Sequence, residues 1–258
     1  MGKKENLLVI LQARMNSSRF PGKVLALING KPMIFWQILR IRKSKYVSEI
    51  VVATSEDRTD DDLALYLESI GVAVVRGDLE NVYERFRKVL KQFDSKHFIR
   101  LTADCPLVMP DLIDSVFEKF TTEDCDYISN AINPTYPDGL DIEILKTQAF
   151  EKLSNMKLSK AEKEHVTLGI YSRKTEFKIF SFEDIYNLSG ERWTVDYPED
   201  LEFIRRVYSE FKGREGEFSL QEVSDLLSKY PALRNKIGGN YRNISLKRSS
   251  DDIGFKNE

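Results

Sequence analysis

Four short apolar runs alternate with amphipathic segments through the first half of the chain. The runs occupy residues 7–11, 50–53, 72–75 and 98–101, and the first is continuously apolar, as in strands that are buried on both faces. Segments with the apolar spacing of a helix follow at residues 32–43, 60–69, 81–93 and 110–120. This repeated order predicts an α/β fold with a mostly parallel sheet and helices on both of its faces.

The second half of the chain is less regular. Further strands are predicted at residues 127–129, 142–145 and 177–180, and further helices at residues 147–153, 161–172, 198–211 and 219–229. We expect one domain over residues 1–241, with a small inserted lobe at about 130–180. The polar residues 242–258 are expected to form a frayed tail.

Composition narrows the function classes. The 258 residues include 39 Lys and Arg against 41 Asp and Glu, and this net charge of −2 argues against a nucleic-acid partner. No run approaches the roughly 18 apolar residues of a membrane span, so no membrane partner is expected. Cys105 and Cys125 are too few to form a disulfide framework for a chain of this length, and they fit a reducing, cytoplasmic location. The two histidines give no zinc spacing, which leaves hard cations held by carboxylates.

The loop after the first predicted strand is rich in cations and hydroxyl groups. Ligands of open parallel sheets bind at the carboxyl ends of the strands, where this loop lies. Its cations and hydroxyls suit a polyphosphate and belong to Arg14, Ser17, Ser18, Arg19 and Lys23. A basic surface loop is the alternative interpretation. The loop has neither the P-loop nor the G-x-G-x-x-G pattern, which disfavours kinase-type NTPases and dehydrogenases.

Two aspartates follow short apolar stretches. Asp104 comes after the fourth predicted strand and Asp196 ends the stretch 193–196. Carboxylates at such strand ends are able to hold Mg²⁺, although a turn or helix-cap role is the alternative for each. Asp200 falls inside the next predicted helix and is expected to be a surface acid. The D-x-D sequence at residues 124–126 precedes a strand, so we interpret it as a solvated turn.

The first loop also matches a known signature at every position. The pattern A-R-x-x-S-x-R-x-P-x-K is present as Ala13-Arg14, Ser17, Arg19, Pro21 and Lys23. It resembles the signature of the CTP-dependent cytidylyltransferases that make CMP-activated acidic sugars, the acylneuraminate and CMP-KDO types. The closer resemblance is to the spore-coat-polysaccharide branch, through ordered blocks that cover nearly the whole chain: Gln12-Ala13-Arg14-Met15, Leu25, Gly30-Lys31-Pro32-Met33, Val52-Ala53-Thr54-Ser55, Arg76-Gly77, Asn81-Val82, Thr102-Ala103-Asp104-Cys105-Pro106-Leu107, Tyr136-Pro137-Asp138-Gly139-Leu140-Asp141, Glu164-His165-Val166 and residues 192–201.

This resemblance implies a Rossmann-like fold of the nucleotide-diphospho-sugar transferase type. It also implies catalytic roles for Arg14, Lys23, Asp104 and Asp196, with Asp104 and Asp196 as ligands of Mg²⁺, which Mn²⁺ can replace. The nucleotide-binding residues implied are Leu11, Gln12, Ala13, Arg14, Ser17, Ser18, Arg19, Lys23, Thr54, Ser55, Arg76 and Gly77. Among them, backbone groups near residues 11–13 and the loops at 54–55 and 76–77 are expected to recognise the cytosine.

The residues on the acceptor side of the site do not fix the charge of the acceptor. The residues implied to bind the acceptor are Tyr136, Asp138, Asp141, Glu143, Glu164 and His165. Several of them are acids, which speaks against an anionic sugar acid and leaves a neutral or amino-bearing acceptor open. Arg173 and Lys174 offer cations as the alternative. A partly buried structural histidine is the other interpretation of His165.

The function expected from the resemblance is transfer of CMP from CTP to an acceptor, with release of pyrophosphate. Charge neutralisation and positioning would supply the rate, and no covalent nucleophile is required. CTP and the acceptor are the expected small-molecule partners, and a homodimer is an open expectation. The alternatives are a nucleotide-sugar-dependent glycosyltransferase of similar fold and a non-catalytic nucleotide-binding module.

Overall fold

The computed structural model describes residues 7–234 of the chain. Its strands are Leu7–Gln12 (β1), Leu27–Ile28 (β2), Lys31–Pro32 (β3), Val47–Ser55 (β4), Ala73–Gly77 (β5), His97–Thr102 (β6), Tyr127–Ser129 (β7), Glu143–Lys146 (β8) and Ile179–Ser181 (β9). Its α-helices are Met33–Ile41 (α1), Asp61–Ser69 (α2), Val82–Gln92 (α3), Pro110–Thr122 (α4), Thr147–Lys152 (α5), Lys160–Glu164 (α6), Leu168–Tyr171 (α7), Pro198–Glu210 (α8) and Leu220–Lys229 (α9). Single 3-10 turns lie at Lys23–Leu25, Arg58–Asp60, Leu153–Asn155 and Pro231–Leu233.

Local chemistry sets several helix ends. Pro110 and Pro198 occupy first-turn positions of α4 and α8, where a missing N–H costs nothing. Ser219 caps α9 through a reciprocal capping box with Glu222. Gly71 follows α2 with a φ of 68°, a left-handed conformation that suits glycine. These boundaries lie close to those predicted from the sequence.

Seven strands form one sheet in the order β5-β4-β1-β6-β8-β7-β9. Strands β5, β4, β1 and β6 are parallel neighbours. Strand β8 is antiparallel to both β6 and β7, and β9 is parallel to β7. Thus β8 is the reversed strand of this sheet, and the prediction of a mostly parallel sheet is confirmed. Strands β1, β4 and β6 end at the same edge, which we call the carboxyl edge.

Apolar side chains cover both faces of the sheet. Leu7, Val9 and Leu11 of β1 belong to a core that includes residues of α1, α2, α4, α8 and α9. Leu8 and Ile10 face the opposite side, where α3, α5 and α7 supply the packing. Helices therefore lie on both faces, as the alternating pattern predicted, and the functional loops are left at the carboxyl edge.

The structure departs from the sequence prediction in one helix. A continuous helix was expected over residues 161–172, but α6 ends at Glu164 and α7 begins at Leu168. His165 and Thr167 lie in the connection between them. The polar tail predicted at 242–258 lies outside the described residues. The boundaries of the domain and of its inserted lobe stay predictions.

Candidate active site

The ammonium group of Lys23 lies between two carboxylates at the carboxyl edge. Its Nζ donates to Asp104 Oδ2 at 3.3 Å and to Asp196 Oδ1 at 3.1 Å. It also donates to the carbonyl oxygen of Val195 at 2.6 Å. Lys23 is only 7% exposed. Three residues implied to be catalytic therefore meet at one point.

A left-handed glycine directs Lys23 to this point. Gly22 has a φ of 74° and precedes the 3-10 turn that begins at Lys23. The Gly22 N–H donates to the carbonyl oxygen of Met15 at 2.8 Å. The Met15 N–H in turn donates to Asp60 Oδ1 at 2.7 Å. The loop is thereby closed on itself and fastened to the start of α2.

Backbone hydrogen bonds bring the two aspartates together. The Val195 N–H donates to the carbonyl oxygen of Asp104 at 2.8 Å. The hydroxyl of Thr194 donates to the same oxygen at 3.2 Å. The segment that carries Asp196 is therefore held against the segment that follows β6, which explains why residues so distant in sequence share Lys23.

The charges of this cluster stabilise one another. Burial opposes ionisation of Lys23, but the charges of Asp104 and Asp196 outweigh it and hold the lysine pKa above its ordinary value. Burial likewise opposes ionisation of Asp196, yet Lys23, Arg19 and Arg192 lower its pKa to about 2. Against the same effect of burial, Lys23 also holds the pKa of Asp104 below its ordinary value. All three groups are thus charged at neutral pH.

Asp200 is not the surface acid that the sequence predicted. It is fully buried, and its Oδ2 accepts hydrogen bonds from the Asp196 N–H at 2.7 Å and the Tyr197 N–H at 2.9 Å. Arg192 Nη2 donates to the same oxygen at 3.1 Å and to Asp196 Oδ2 at 3.0 Å. The position at the start of α8 points Asp200 inward, where it supports the segment that carries Asp196.

A close backbone contact holds the loop of residues 136–141 to that segment. Gly139 has a φ of 106°, and a Cβ built on it would lie 2.5 Å from the Thr194 nitrogen. The Trp193 N–H donates to the carbonyl oxygen of Asp138 at 2.6 Å. Arg192 Nη1 donates to Asp138 Oδ2 at 3.0 Å. Residue 139 must therefore lack a side chain, and Asp138 is an ion-pair partner of Arg192.

A cavity of about 430 Å³ opens beside the Lys23 cluster. Four of the predicted acceptor residues line it, namely Asp138, Asp141, Glu143 and His165. Tyr136 is not among the lining residues, since it stacks on Phe182 and lines a different depression beside α4. Glu164 is half-buried and also not among them. The other lining residues are Arg19, Arg100, Thr102, Asp104, Cys105, Tyr127, Ala131, Ile132, Thr167, Tyr171, Lys174, Ile179, Thr194 and Asp196.

Glu143 is already occupied within the protein. Its Oε2 is paired with Arg100 Nη1, and its Oε1 accepts from the hydroxyls of Tyr127 at 2.7 Å and Thr167 at 2.6 Å. Arg100 and Thr167 were not predicted as site residues. Arg100 is isolated in an apolar strand, which is a detectable signal, whereas Thr167 lay within a predicted helix. Burial lowers the pKa of His165, so its imidazole is neutral at pH 7.

The predicted phosphate loop divides into committed and free groups. Arg19 Nη2 is paired with Asp196 Oδ1 at 2.7 Å, and its guanidinium lies 5.4 Å from the centre of the Tyr197 ring. Arg14 is exposed and forms no ion pair with residues 7–234. Ser18 is exposed and Ser17 half-buried. Arg14 is thus the cation of this loop that is open to solvent.

The side chains of Thr54 and Ser55 are hydrogen-bonded within the protein, and contact of their loop with the nucleotide stays a prediction. Both residues are fully buried, and their hydroxyls donate to Asp60 Oδ2, Thr54 at 2.9 Å. Asp60, a buried acid missed by the sequence analysis, thus joins the end of β4 to the Met15 backbone. Only a D-x-x-D-D pattern before α2 could have indicated it.

The next predicted nucleotide residues also serve the scaffold. Arg76 Nε donates to the Ser55 carbonyl at 2.7 Å, and Arg76 Nη1 is paired with Asp61 at 2.7 Å. Gly77 is buried, and its carbonyl accepts from the Glu56 N–H at 2.8 Å. The Arg76 side chain is therefore engaged within the protein, and Gly77 has only backbone groups to offer a base.

The end of β1 lies between the loop and the cavity. Leu11 and Ala13 are buried, and the Ala13 N–H donates to the Ala53 carbonyl at 3.2 Å. Gln12 is half-buried, and its Oε1 accepts from Arg100 Nη2 at 3.2 Å. The side chain of Gln12 therefore connects the nucleotide loop with the cavity.

The candidate metal ligands at the site, among residues 7–234, are the carboxylates of Asp104 and Asp196. No cluster of three or more His, Cys, Asp or Glu side chains suited to a metal ion occurs within residues 7–234. The D-x-D acids at 124 and 126 lie away from the site, where the exposed Asp124 is paired with Lys146 and Lys178. No helix among these residues is long and apolar enough to cross a membrane.

The chain is similar to known proteins over most of its length. Residues 8–224 match the sequence model of the cytidylyltransferase family. The chain is 32% identical to the spore coat polysaccharide biosynthesis protein SpsF of Bacillus subtilis over 235 residues, which cover 88% of this chain and 95% of that protein. It is 33% identical to a 3-deoxy-manno-octulosonate cytidylyltransferase of Bdellovibrio bacteriovorus over 116 residues, 44% of this chain and 45% of that one.

Solved structures share the fold. A cytidylyltransferase from Leptospira borgpetersenii superposes with a TM-score of 0.85 at 26% identity, covering 93% of this chain and all of that one. A CMP-2-keto-3-deoxy-manno-octonic acid synthetase in complex with CTP gives a TM-score of 0.62 at 20% identity, covering 80% of this chain and 99% of that one. The second likeness concerns the fold alone.

Proposed function

The chain belongs to the cytidylyltransferase family, and on that premise we propose that it transfers CMP from CTP to a hydroxylated acceptor with release of pyrophosphate. Membership makes it a nucleotidyltransferase that uses CTP. The observation that carries the finer proposal is the meeting of Lys23, Asp104 and Asp196 beside a cavity large enough for a sugar-sized molecule.

The cations of the first loop would neutralise the triphosphate. Arg14 is exposed at the carboxyl edge and available to a phosphate. Arg19 and Lys23 belong to the same loop and are paired with Asp196, so they lie at the border between the loop and the cavity. Such fixed cations stabilise the charge that develops on the phosphates in the transition state.

Positioning would supply the rest of the catalysis. An acceptor oxygen held in the cavity attacks the α-phosphorus, the bond to the pyrophosphate oxygen breaks, and pyrophosphate leaves in line. His165 lines the cavity and is neutral at pH 7, so it can accept a hydrogen bond from an acceptor hydroxyl. The Asp138–Arg192 pair keeps the cavity wall fixed.

Asp104 and Asp196 fit a divalent cation such as Mg²⁺ or Mn²⁺. Both carboxylates are ionised and lie within 3.3 Å of one Lys23 Nζ, so they face a common point. Hard oxygen donors of this kind are the ligands that Mg²⁺ prefers, with phosphate oxygens and water completing its shell. When bound, the ion would neutralise phosphate charge.

The acceptor is proposed to be a sugar acid or a related polysaccharide precursor, by analogy with the names of the relatives. Two of the acids that speak against an anionic acceptor are paired within the protein, since Asp138 binds Arg192 and Glu143 binds Arg100. Lys174 also lines the cavity.

The buried thiols Cys105 and Cys125 accord with a cytoplasmic location.

A product analysis tests this proposal. The protein would be incubated with CTP, Mg²⁺ and a panel of sugar acids, amino sugar acids, sugar phosphates and small alcohols, with pyrophosphate release and mass spectrometry of CMP conjugates as readouts. We expect a CMP conjugate and pyrophosphate in equal amounts, and loss of both in Lys23→Met but not in the exposed control Lys212→Met. Consumption of a nucleotide sugar without pyrophosphate would instead indicate a glycosyltransferase.

A further inference from the structure

A row of polar side chains crosses the sheet at the floor of the cavity. Adjacent strands β1, β6 and β8 contribute Gln12, Arg100 and Glu143, and Arg100 bonds to both of the others. The same face is apolar further along these strands, at Ile10 and Phe98. Buried polar groups cost stability unless they are satisfied, and Arg100 Nε of this row has no hydrogen-bond partner among residues 7–234.

Glu143 fixes the direction of the hydrogen bonds in this row. Its Oε1 accepts from the hydroxyls of Tyr127 and Thr167, at 2.7 Å and 2.6 Å. A hydroxyl has one proton, so a hydroxyl that donates to a carboxylate can only accept from other groups. Burial raises the pKa of Tyr127 well above its ordinary value, and Glu143 adds to this, so the phenol keeps its proton. Ser129 also reaches the Tyr127 oxygen.

Thr167, which donates to Glu143 of this row, has unused acceptor capacity. It precedes the first residue of α7, where a threonine hydroxyl usually caps the helix, yet its side chain makes no capping bond. No donor within residues 7–234 reaches its Oγ1, and the residue lines the cavity. The break between α6 and α7 therefore turns the hydroxyl toward Glu143 and leaves its lone pairs to a ligand.

We propose that Thr167 is a specificity-determining residue whose Oγ1 accepts a hydrogen bond from a hydroxyl or amino group of the acceptor. Glu143 is the positioning residue that sets this direction. The inference rests on the proposed function only in taking the cavity as the acceptor pocket. A substrate group that cannot donate, such as an ether or a carboxylate, is disfavoured at this position.

The variant Glu143→Gln is expected to reverse the preference. Arg100 cannot accept a hydrogen bond, so the introduced amide must turn its oxygen toward Arg100 and its NH₂ toward Tyr127 and Thr167. Those hydroxyls then accept from the amide, and their protons become available to the cavity. The reversed site favours a ligand group that accepts.

The experiment uses two probes that differ in donor capacity. These are 3-deoxy-manno-octulosonate, a polyhydroxylated acid named in several relatives, and its fully O-methylated ether, whose ether oxygens only accept. Binding is measured by calorimetry in the presence of CMP, which has no pyrophosphate to release. The variants are Thr167→Val, Thr167→Ser, Glu143→Gln and the exposed control Thr121→Val.

We expect the wild type to bind the hydroxylated probe and to prefer it to the ether. Thr167→Val should weaken its binding about tenfold, the loss of one hydrogen bond, while Thr167→Ser and Thr121→Val stay near wild type. Glu143→Gln should shift the preference toward the ether. In pyrophosphate release, Thr167→Val should raise the acceptor KM and leave the CTP KM unchanged, a split that general destabilisation would not give.

Three results would overturn the inference: wild-type affinity for the probe in Thr167→Val, equal binding of both probes by the wild type, or no binding of the hydroxylated probe. CTP binding, followed by thermal shift in every variant, separates the two proposals. Failure of the wild type to bind CTP contradicts the proposed function. Normal CTP binding with a silent Thr167→Val contradicts only this inference.

Discussion

Lys23 and Arg14 lie in the same loop but in different surroundings. Lys23 is buried between Asp104 and Asp196, whereas Arg14 is exposed and without an ion pair among residues 7–234. Removing the first takes away the cation paired with Asp104 and one of the three cations paired with Asp196, and removing the second leaves the folded protein as it was. Activity and stability should therefore separate at these two positions.

We expect Lys23→Ala and Arg14→Ala each to lose about 2–4 kcal/mol of transition-state stabilisation, the cost of one electrostatic donor. Only Lys23→Ala should also lower the free energy of unfolding, by about 1–3 kcal/mol. Values of kcat/KM and urea unfolding curves measure the two effects. Wild-type kcat/KM in Arg14→Ala would remove that residue from the phosphate site.

Asp200 gives a second prediction at this scale. It accepts three hydrogen bonds in a fully buried position, from Asp196, Tyr197 and Arg192. Asp200→Asn should lower the free energy of unfolding by about 1–3 kcal/mol and reduce activity through the displaced Asp196 segment. The neighbouring exposed residue supplies the control, and Glu199→Gln should leave both unchanged. Equal unfolding curves for the two variants would mean that Asp200 does not support the site.

The depressed pKa of Asp196 predicts a pH dependence of stability. Its pKa falls from 3.8 to about 2 on folding, so the unfolded chain binds more protons between these values. The resulting stabilisation, about 2 kcal/mol, is fully present above pH 4 and is lost as the pH falls toward 2. The free energy of unfolding, measured with denaturant at several pH values between 6 and 3, should fall less steeply with decreasing pH for Asp196→Asn than for wild type. The exposed control Asp225→Asn should keep the pH dependence of the wild type. The same pH dependence in Asp196→Asn and wild type would contradict a depressed pKa of Asp196.

At the scale of elements, contact between two loops assembles the site. The loop of residues 136–141 approaches the segment of residues 192–196 so closely that Gly139 has no space for a Cβ. The hydrogen bonds of Asp138 to Trp193 and Arg192 hold the same contact. Its position decides where both the cavity wall and Asp196 lie.

Gly139→Ala should therefore disrupt the site. The added Cβ would lie 2.5 Å from the Thr194 nitrogen, and the φ of 106° is strained for any side chain. We expect the free energy of unfolding to fall by about 1–3 kcal/mol and kcat/KM to fall with it. Gly190 has nothing within 4 Å of its Cβ position, so Gly190→Ala is the matched control. Full activity of Gly139→Ala would show that this contact does not position Asp196.

At the scale of the whole molecule, the proposed nucleotide site lies at the edge where the parallel strands β5, β4, β1 and β6 end. A ligand that binds only the folded protein stabilises it, by about 2.7 kcal/mol at a hundred times its Kd. We expect CTP to raise the Tm more than UTP, because a site matched to the amino group of cytosine leaves a polar group unpaired with uracil. Thermal unfolding with each nucleotide measures this. Equal shifts would leave a nucleotidyltransferase without base preference.

The sequence by itself determined the layers of the fold and the positions of the charged loop. Continuous apolar runs and helical spacing predict buried strands and covering helices, because local periodicity reflects which faces are buried. For the same reason Asp104 could be placed at a strand end and Lys23 in the loop after the first strand, whereas the stretch 193–196 that carries Asp196 forms no strand. The signature of the first loop and its ordered companion blocks then indicated the family.

Tertiary structure decided which of those residues meet and which are used up. Burial turned Asp200 inward, committed Thr54 and Ser55 to Asp60, and paired Glu143 with Arg100. The break between α6 and α7 leaves Thr167, a buried residue, in the lining of the cavity. None of this is encoded in local spacing, because partners such as Asp104 and Asp196 lie far apart in sequence. The hydrogen-bond partners of a buried polar group are set by the packing of distant segments.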